Sequence, residues 1–97
     1  METACSTTPR FTPGMIVATQ GVQALIERNT INPICYLQRH LYGDWGDVDP
    51  EDWEANQFAL EHGERLVSVY IISDELTLWI ITEWDRSATT LLLPDEY

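Results

Sequence analysis

From Arg65 to Leu93 the chain reads RLVSVYIISDELTLWIITEWDRSATTLLL, and this stretch decides the fold. Its apolar residues are mostly β-branched or aromatic and alternate with small polar ones, the period-two pattern of a strand. Asp74-Glu75 and Asp85-Arg86-Ser87 interrupt it as short polar turns. The expected strands are Arg65 to Ser73, Leu76 to Trp84 and Thr89 to Leu93, and connections this short join antiparallel neighbours. With Ser73 opposite Leu76, Tyr70 faces Trp79, Ser68 faces Ile81 and Leu66 faces Glu83. With Trp84 opposite Thr89, Glu83 faces Thr90 and Ile81 faces Leu92. One face then carries Val67, Val69, Ile71, Leu78, Ile80, Leu91 and Leu93, which should lie under helices. The other carries Ser68, Tyr70, Trp79, Glu83 and Thr90 among aliphatics. Such a mixed face reads as a partner platform, or as a plain Tyr70–Trp79 cross-strand pair contributing roughly 0.2–1 kcal/mol.

Upstream the period lengthens. Thr19 is a capping residue before Val22, Leu25 and Ile26, spaced for one helix face, and Asn29 to Asn32 closes that helix. Asn32-Pro33 opens a second helix with Ile34, Leu37 and Leu41 apolar, and Gly43 stops it. Gly43-Asp44-Trp45-Gly46-Asp47 is a loop. Asp49-Pro50-Glu51-Asp52 starts a third helix with acids where the helix dipole favours them. Trp53, Gln57 and Leu60 run down one side of it, with Ala55, Ala59 and Asn56 close by, and Gly63 ends it. Residues 1–11 read as a flexible tail, Thr12-Pro13-Gly14 as a turn, and Met15 to Ala18 as a short extended piece. The expectation is a single α+β domain over residues 12–97, three N-terminal helices packed on one face of a three-stranded antiparallel meander.

Charge narrows the partners. Sixteen acids stand against five arginines, lysine is absent, and the net charge is −11. That field repels nucleic-acid phosphate and anionic membrane and favours a basic protein surface, besides keeping the chain dispersed. Asp44 to Glu54 holds six acids and no base. No apolar run is long enough to span a bilayer and Met1 to Thr12 has no apolar signal segment, so a cytoplasmic location is expected. Cys5 and Cys35 make a poor disulfide framework, one an exposed tail thiol and the other half-buried. His40 and His62 stand apart, so neither metal nor cofactor is expected. Glu83-Trp84-Asp85-Arg86 could form an acid/base cluster, although an Asp–Arg pair at a turn is more often a weak surface ion pair. His40 next to Arg39, ahead of Asp44 and Trp45, could bring an imidazole near a carboxylate. A lone helical histidine is more often a half-buried polar residue. No phosphate loop and no nucleophile elbow is present.

Several blocks resemble a family of small bacterial proteins carried on plasmids and other mobile elements. They are Thr12-Pro13-Gly14-x-Ile16-Val17-Ala18-Thr19, Arg39-His40-x-x-Gly43-Asp44-Trp45-Gly46, Glu51-Asp52-x-x-x-Asn56, Gly63-x-Arg65-Leu66-x-Ser68-x-Tyr70 and the long block from Trp79 to Tyr97. The resemblance covers roughly residues 12 to 97, with Gln20 where relatives carry proline. It implies a genomic setting rather than an activity.

Together these readings suggest a non-enzymatic, acidic accessory protein of a mobile element. It would inhibit a nucleic-acid-targeting defence system, of anti-restriction or anti-CRISPR type, by occupying a basic surface. The residues expected at that contact are Ser68, Tyr70, Trp79, Glu83, Asp85, Arg86 and Thr90, with His40, Asp44, Trp45 and Asp47. The alternatives are a small ribonuclease of barnase-like or RelE-like layout, built on His40, Arg65, Ser68, Glu83, Arg86 and Thr90, and a plasmid-maintenance interaction protein.

Overall fold

The computed structural model describes residues 8–97. In chain order it has β1 (Met15–Ala18), α1 (Gln20–Glu27), α2 (Pro33–Leu41), α3 (Pro50–His62), β2 (Leu66–Ser73), β3 (Leu76–Thr82) and β4 (Ala88–Leu92), then one 3₁₀ turn, Pro94–Glu96. The expected tail is described only from Thr8; the rest of it, with Cys5, lies outside the described residues. Its end is attached: the Arg10 N–H donates to the Leu41 carbonyl at 2.8 Å, and Phe11 stacks near Trp45.

Helix starts follow their caps. Thr19 Oγ1 accepts from the Val22 N–H, and an Asp49 carboxylate oxygen accepts from the Asp52 N–H at 2.8 Å. Asn32 stands at the second N-cap without a side-chain bond, so Pro33 alone marks that start. Gly63 closes α3 in the left-handed region, where a side chain would be strained. The buried residues of α3 are Asn56 and Ala59, with Leu60 partly buried beside them, while Trp53 and Gln57 are exposed. Cys35 is exposed rather than half-buried.

The sheet is larger than a meander. Its strand order is β1-β4-β3-β2, four strands with β1 parallel to β4. Four residues are too few to show alternation, and what places β1 is the turn before it. Gly14 sits at φ +68°, and a Cβ there would lie 2.4 Å from the Arg86 carbonyl oxygen.

The register of β2 also departs from expectation. Ser73 does oppose Leu76, but the ladder shifts between Ile71 and Ser73, leaving Ile72 as a bulge. One extra residue turns every side chain beyond it to the other face. Tyr70 therefore opposes Leu78, Ser68 opposes Ile80, and Trp79 opposes Val69. Leu66, Ser68 and Tyr70 lie under the helices, while Val67, Val69 and Ile71 do not. The β3–β4 turn is longer than expected, with Thr82 opposite Thr89. That shift is even, so β3 and β4 keep their expected faces. Leu78, Ile80 and Leu91 join Val22, Ile31, Leu37 and Tyr70 in the main core, and Trp45, Ala59 and Leu66 form a second cluster beneath α3.

Candidate functional site

The sheet face turned away from α1 and α2 carries Val67, Val69, Trp79, Ile81, Thr90 and Leu92. The Trp79 ring meets Tyr97 edge-on, centroids 5.5 Å apart. The Arg65 guanidinium donates to the Tyr97 hydroxyl at 2.8 Å and stands over that ring. Helix α3 runs along the β2 edge, fixed by the Asn56 amide. That side chain donates to the Val67 carbonyl at 2.7 Å and accepts from the Val67 N–H at 3.1 Å. Between helix and sheet lies a groove of about 390 Å³, floored by Val67, Val69 and Trp79, walled by Asp52, Ala55 and Asn56, and ended by Glu64 and Arg65.

Asp49, Glu51, Asp52 and Glu54 are all exposed along the first turns of α3, and of the four Asp52 lines the groove. Among the described residues the one salt bridge is Arg39–Asp44 at 2.8 Å. Three arginines are held by contacts within the molecule. Arg39 pairs with Asp44 and lies over the Tyr70 ring at 4.7 Å, and Arg65 is on Tyr97. The Arg86 guanidinium donates to the carbonyls of Ala59, Glu64, Glu83 and Trp84. Among the described residues no arginine forms a salt bridge with Asp49, Glu51, Asp52 or Glu54.

Inside the molecule runs a chain of polar groups. His40 is fully buried between the rings of Phe11 and Trp45. Its Nδ1 lies 2.6 Å from Ser68 Oγ and its Nε2 lies 2.8 Å from Thr82 Oγ1. Thr82 Oγ1 lies 2.8 Å from Thr89 Oγ1, and Thr89 donates to the Pro13 carbonyl at 2.7 Å. A carbonyl only accepts, so the directions are fixed back along the chain. Thr89 gives its proton to Pro13, Thr82 gives its own to Thr89, and His40 must donate from Nε2. Its Nδ1 then accepts from Ser68. Burial, assisted by Arg86, lowers the His40 pKa to about 3. This serine–histidine pair is neutral, satisfied and sealed from solvent. The whole chain of bonds joins the turn before β1, α2 and the strands β2, β3 and β4.

The loop after α2 is equally committed. Trp45 is buried and its indole N–H donates to Gln57 at 3.0 Å. The Trp45 carbonyl accepts from the Val69 N–H, the Asp47 N–H donates to the Val69 carbonyl, and the Asp47 carboxylate accepts from the Ile71 N–H. Asp44 accepts from Arg39 and from the Gly46 N–H, which holds its carboxyl below the usual range, Arg39 being the larger cause. The Tyr70 hydroxyl donates to the Asp44 carbonyl at 2.7 Å.

The expected contact residues are thus dispersed. Ser68, Tyr70, His40 and Trp45 are fully buried and no partner can touch them in this fold. Trp79 and Thr90 remain on the open face. Glu83, Asp85 and Arg86 form the β3–β4 turn, where Asp85 accepts from the Ser87 N–H and Arg86 points inward. Asp44 and Asp47 brace the loop. The groove adds Asp52, Val67, Val69 and Arg65. Val67 and Val69 were hidden by the register shift, and Arg65 finds Tyr97 across 32 residues of sequence, a pairing no local pattern marks. No family model, curated protein or solved structure matches the chain.

Proposed function

We propose that the chain is a non-enzymatic binder of a basic protein surface, acting as a mobile-element inhibitor of a nucleic-acid-targeting defence protein. The observation that carries this reading is the run of exposed carboxylates Asp49, Glu51, Asp52 and Glu54 at the start of α3, with Asp52 lining the Trp79-floored groove. A row of carboxylates at helix spacing resembles backbone phosphate in charge, so a surface evolved for nucleic acid attracts it. The groove supplies what charge alone lacks, an apolar floor with one aromatic against which an arginine or an aliphatic side chain can pack. The ribonuclease alternative is not favoured, because its histidine is buried and neutral at physiological pH.

The test is inhibition. Purified restriction endonucleases and RNA-guided nucleases are assayed for DNA cleavage with and without the chain, at rising salt. Stoichiometric inhibition of one of them, weakening as salt rises, is expected. Neutralising Glu51, Asp52 and Glu54 (to Gln, Asn and Gln) should weaken it far more than neutralising Asp74, Glu75 and Asp95, which removes the same charge elsewhere. Asp44, Asp47 and Glu96 are unsuitable for this comparison because each holds backbone N–H groups in place. Equal losses from the two sets would reduce the effect to diffuse charge and overturn the site.

A further inference from the structure

The two edges of the sheet are built differently. The outward groups of β2 from Val67 to the Ile71 N–H are covered: Asn56 takes both backbone groups of Val67, Trp45 and Asp47 take those of Val69, and the Asp47 carboxylate takes the Ile71 N–H. Such sealing is how sheets avoid adventitious pairing. Among the described residues the β1 edge has none of it. Met15, Ile16 and Val17 are 71%, 51% and 40% exposed, and among the described residues no segment pairs with the outer side of β1. The Met15 N–H donates to the Ser87 carbonyl and the Thr19 N–H to the Leu91 carbonyl. By strand alternation the N–H and C=O groups of Ile16 and Ala18 point away from β4.

We propose that this edge pairs with the same edge of a second copy of the chain, antiparallel about a two-fold axis at Val17, so that the sheet runs on through a dimer. The outward groups are self-complementary, as an isologous contact requires. With Ile16 opposite Ala18 of the second copy, and Ala18 opposite its Ile16, all four donors and all four acceptors of the two strands are used. Val17 then meets its own equivalent as a non-hydrogen-bonded pair.

Charge selects a copy over a basic partner. Residues 11–26 contain no charged side chain, in a chain holding 16 acids and five bases, and β4 behind them is also uncharged. Glu96, which reaches this region, is bound to Thr19, Gly21 and the Leu93 N–H. A cationic strand would find no carboxylate to meet there. Two bodies of net charge −11 can approach only where each is neutral, and this strip is such a place. The groove beside α3 lies at the opposite edge, so the dimer leaves both grooves free. The dimer does not depend on the inhibitor reading.

Sedimentation velocity and cysteine linkage on the full chain decide it. The wild type should sediment as a dimer that dissociates on dilution. Val17→Lys opposes two ammonium groups across the axis and should raise the dissociation constant at least about tenfold. Ile16→Pro removes an outward donor without touching the β4 ladder and should act likewise. If the proline variant misfolds by circular dichroism, Val17→Lys alone carries the result. In a Cys5→Ser, Cys35→Ser background, Val17→Cys should form a disulfide dimer on mild oxidation, because a non-hydrogen-bonded pair brings Cα atoms to about 4.5 Å. Ile16→Cys, more exposed but out of register with its equivalent, should not. A wild type that stays monomeric up to its solubility limit would overturn the proposal, as would equal linkage through both cysteines.

Discussion

His40 shows what a single residue can and cannot disclose. In the sequence it is a lone histidine on a helix, and its partners Ser68 and Thr82 lie 28 and 42 residues away. Nothing local announces that three hydroxyls and a carbonyl will line up behind it. The consequence is measurable because the ring is held neutral. Burial depresses its pKa to about 3, whereas the unfolded chain protonates near 6.5. Between those values the unfolded state binds a proton that the native state refuses. Stability is therefore complete above pH 6.5 and falls as the pH drops toward 3, by about 1.4 kcal/mol per pH unit for this one group. In NMR the His40 ring should show no titration above pH 4.5 and should report an Nε2–H tautomer. Denaturant unfolding of His40→Gln should show a shallower pH slope than wild type between pH 6.5 and 4.5, the acidic surface being common to both. A His40 that titrates near 6 would mean that the ring is not sealed.

At the scale of elements, more was readable than the sites were. All three helices begin at or next to the polar residue that precedes them, because capping is a local transaction between a side chain and the next turn. Asp49→Ala should accordingly cost about 0.5–2 kcal/mol. Asn32→Ala should cost much less, since Asn32 makes no capping bond. Paired thermal melts of the two variants test this, and equal losses would contradict it. The faces of β3 and β4 were legible from alternation, and that of β2 was not. A bulge is an extra residue that alternation cannot reveal, since Ile71 and Ile72 are both apolar and either could carry the step. Two aspartates separate the registers. Ile80→Asp places a carboxylate in the core, costing several kcal/mol against a total of roughly 5–15, and should leave the chain unfolded at room temperature. Val69→Asp points into the groove and should leave a cooperative melt, shifted down by a few degrees. Unfolding by both substitutions would restore the unbulged register and dissolve the groove floor.

For the whole molecule, the dominant quantity was visible from the start, and its arrangement was not. Sixteen acids against five bases is a count, but the fold decides which charges are answered. It draws Arg39, Arg65 and Arg86 onto rings, carbonyls and one aspartate. It holds Asp44, Asp47 and Glu96 against backbone N–H groups. What remains outside is an excess of carboxylates gathered on α3 at one edge, while the neutral segment 11–26 forms much of the other. A body so charged repels itself, and the repulsion is greatest in the compact state. Salt screens charges separated by more than about 10 Å at 0.1 M, a distance well within this molecule, and touches short hydrogen-bonded pairs much less. The melting temperature should therefore rise as sodium chloride goes from about 0.01 M to 0.5 M. A relief of about 1 kcal/mol corresponds to roughly 4–8 °C for a domain of this size. Neutralising Asp74, Glu75 and Asp95, which cap nothing, should raise the low-salt melting temperature and flatten the salt dependence. Neutralising Glu51, Asp52 and Glu54 removes the same repulsion but also removes acids favoured by the α3 dipole, so its gain should be smaller. A melting temperature that falls with salt would mean that attractive pairs outweigh the repulsion, and the acidic row on α3 would then be answered by cations rather than open to a basic partner.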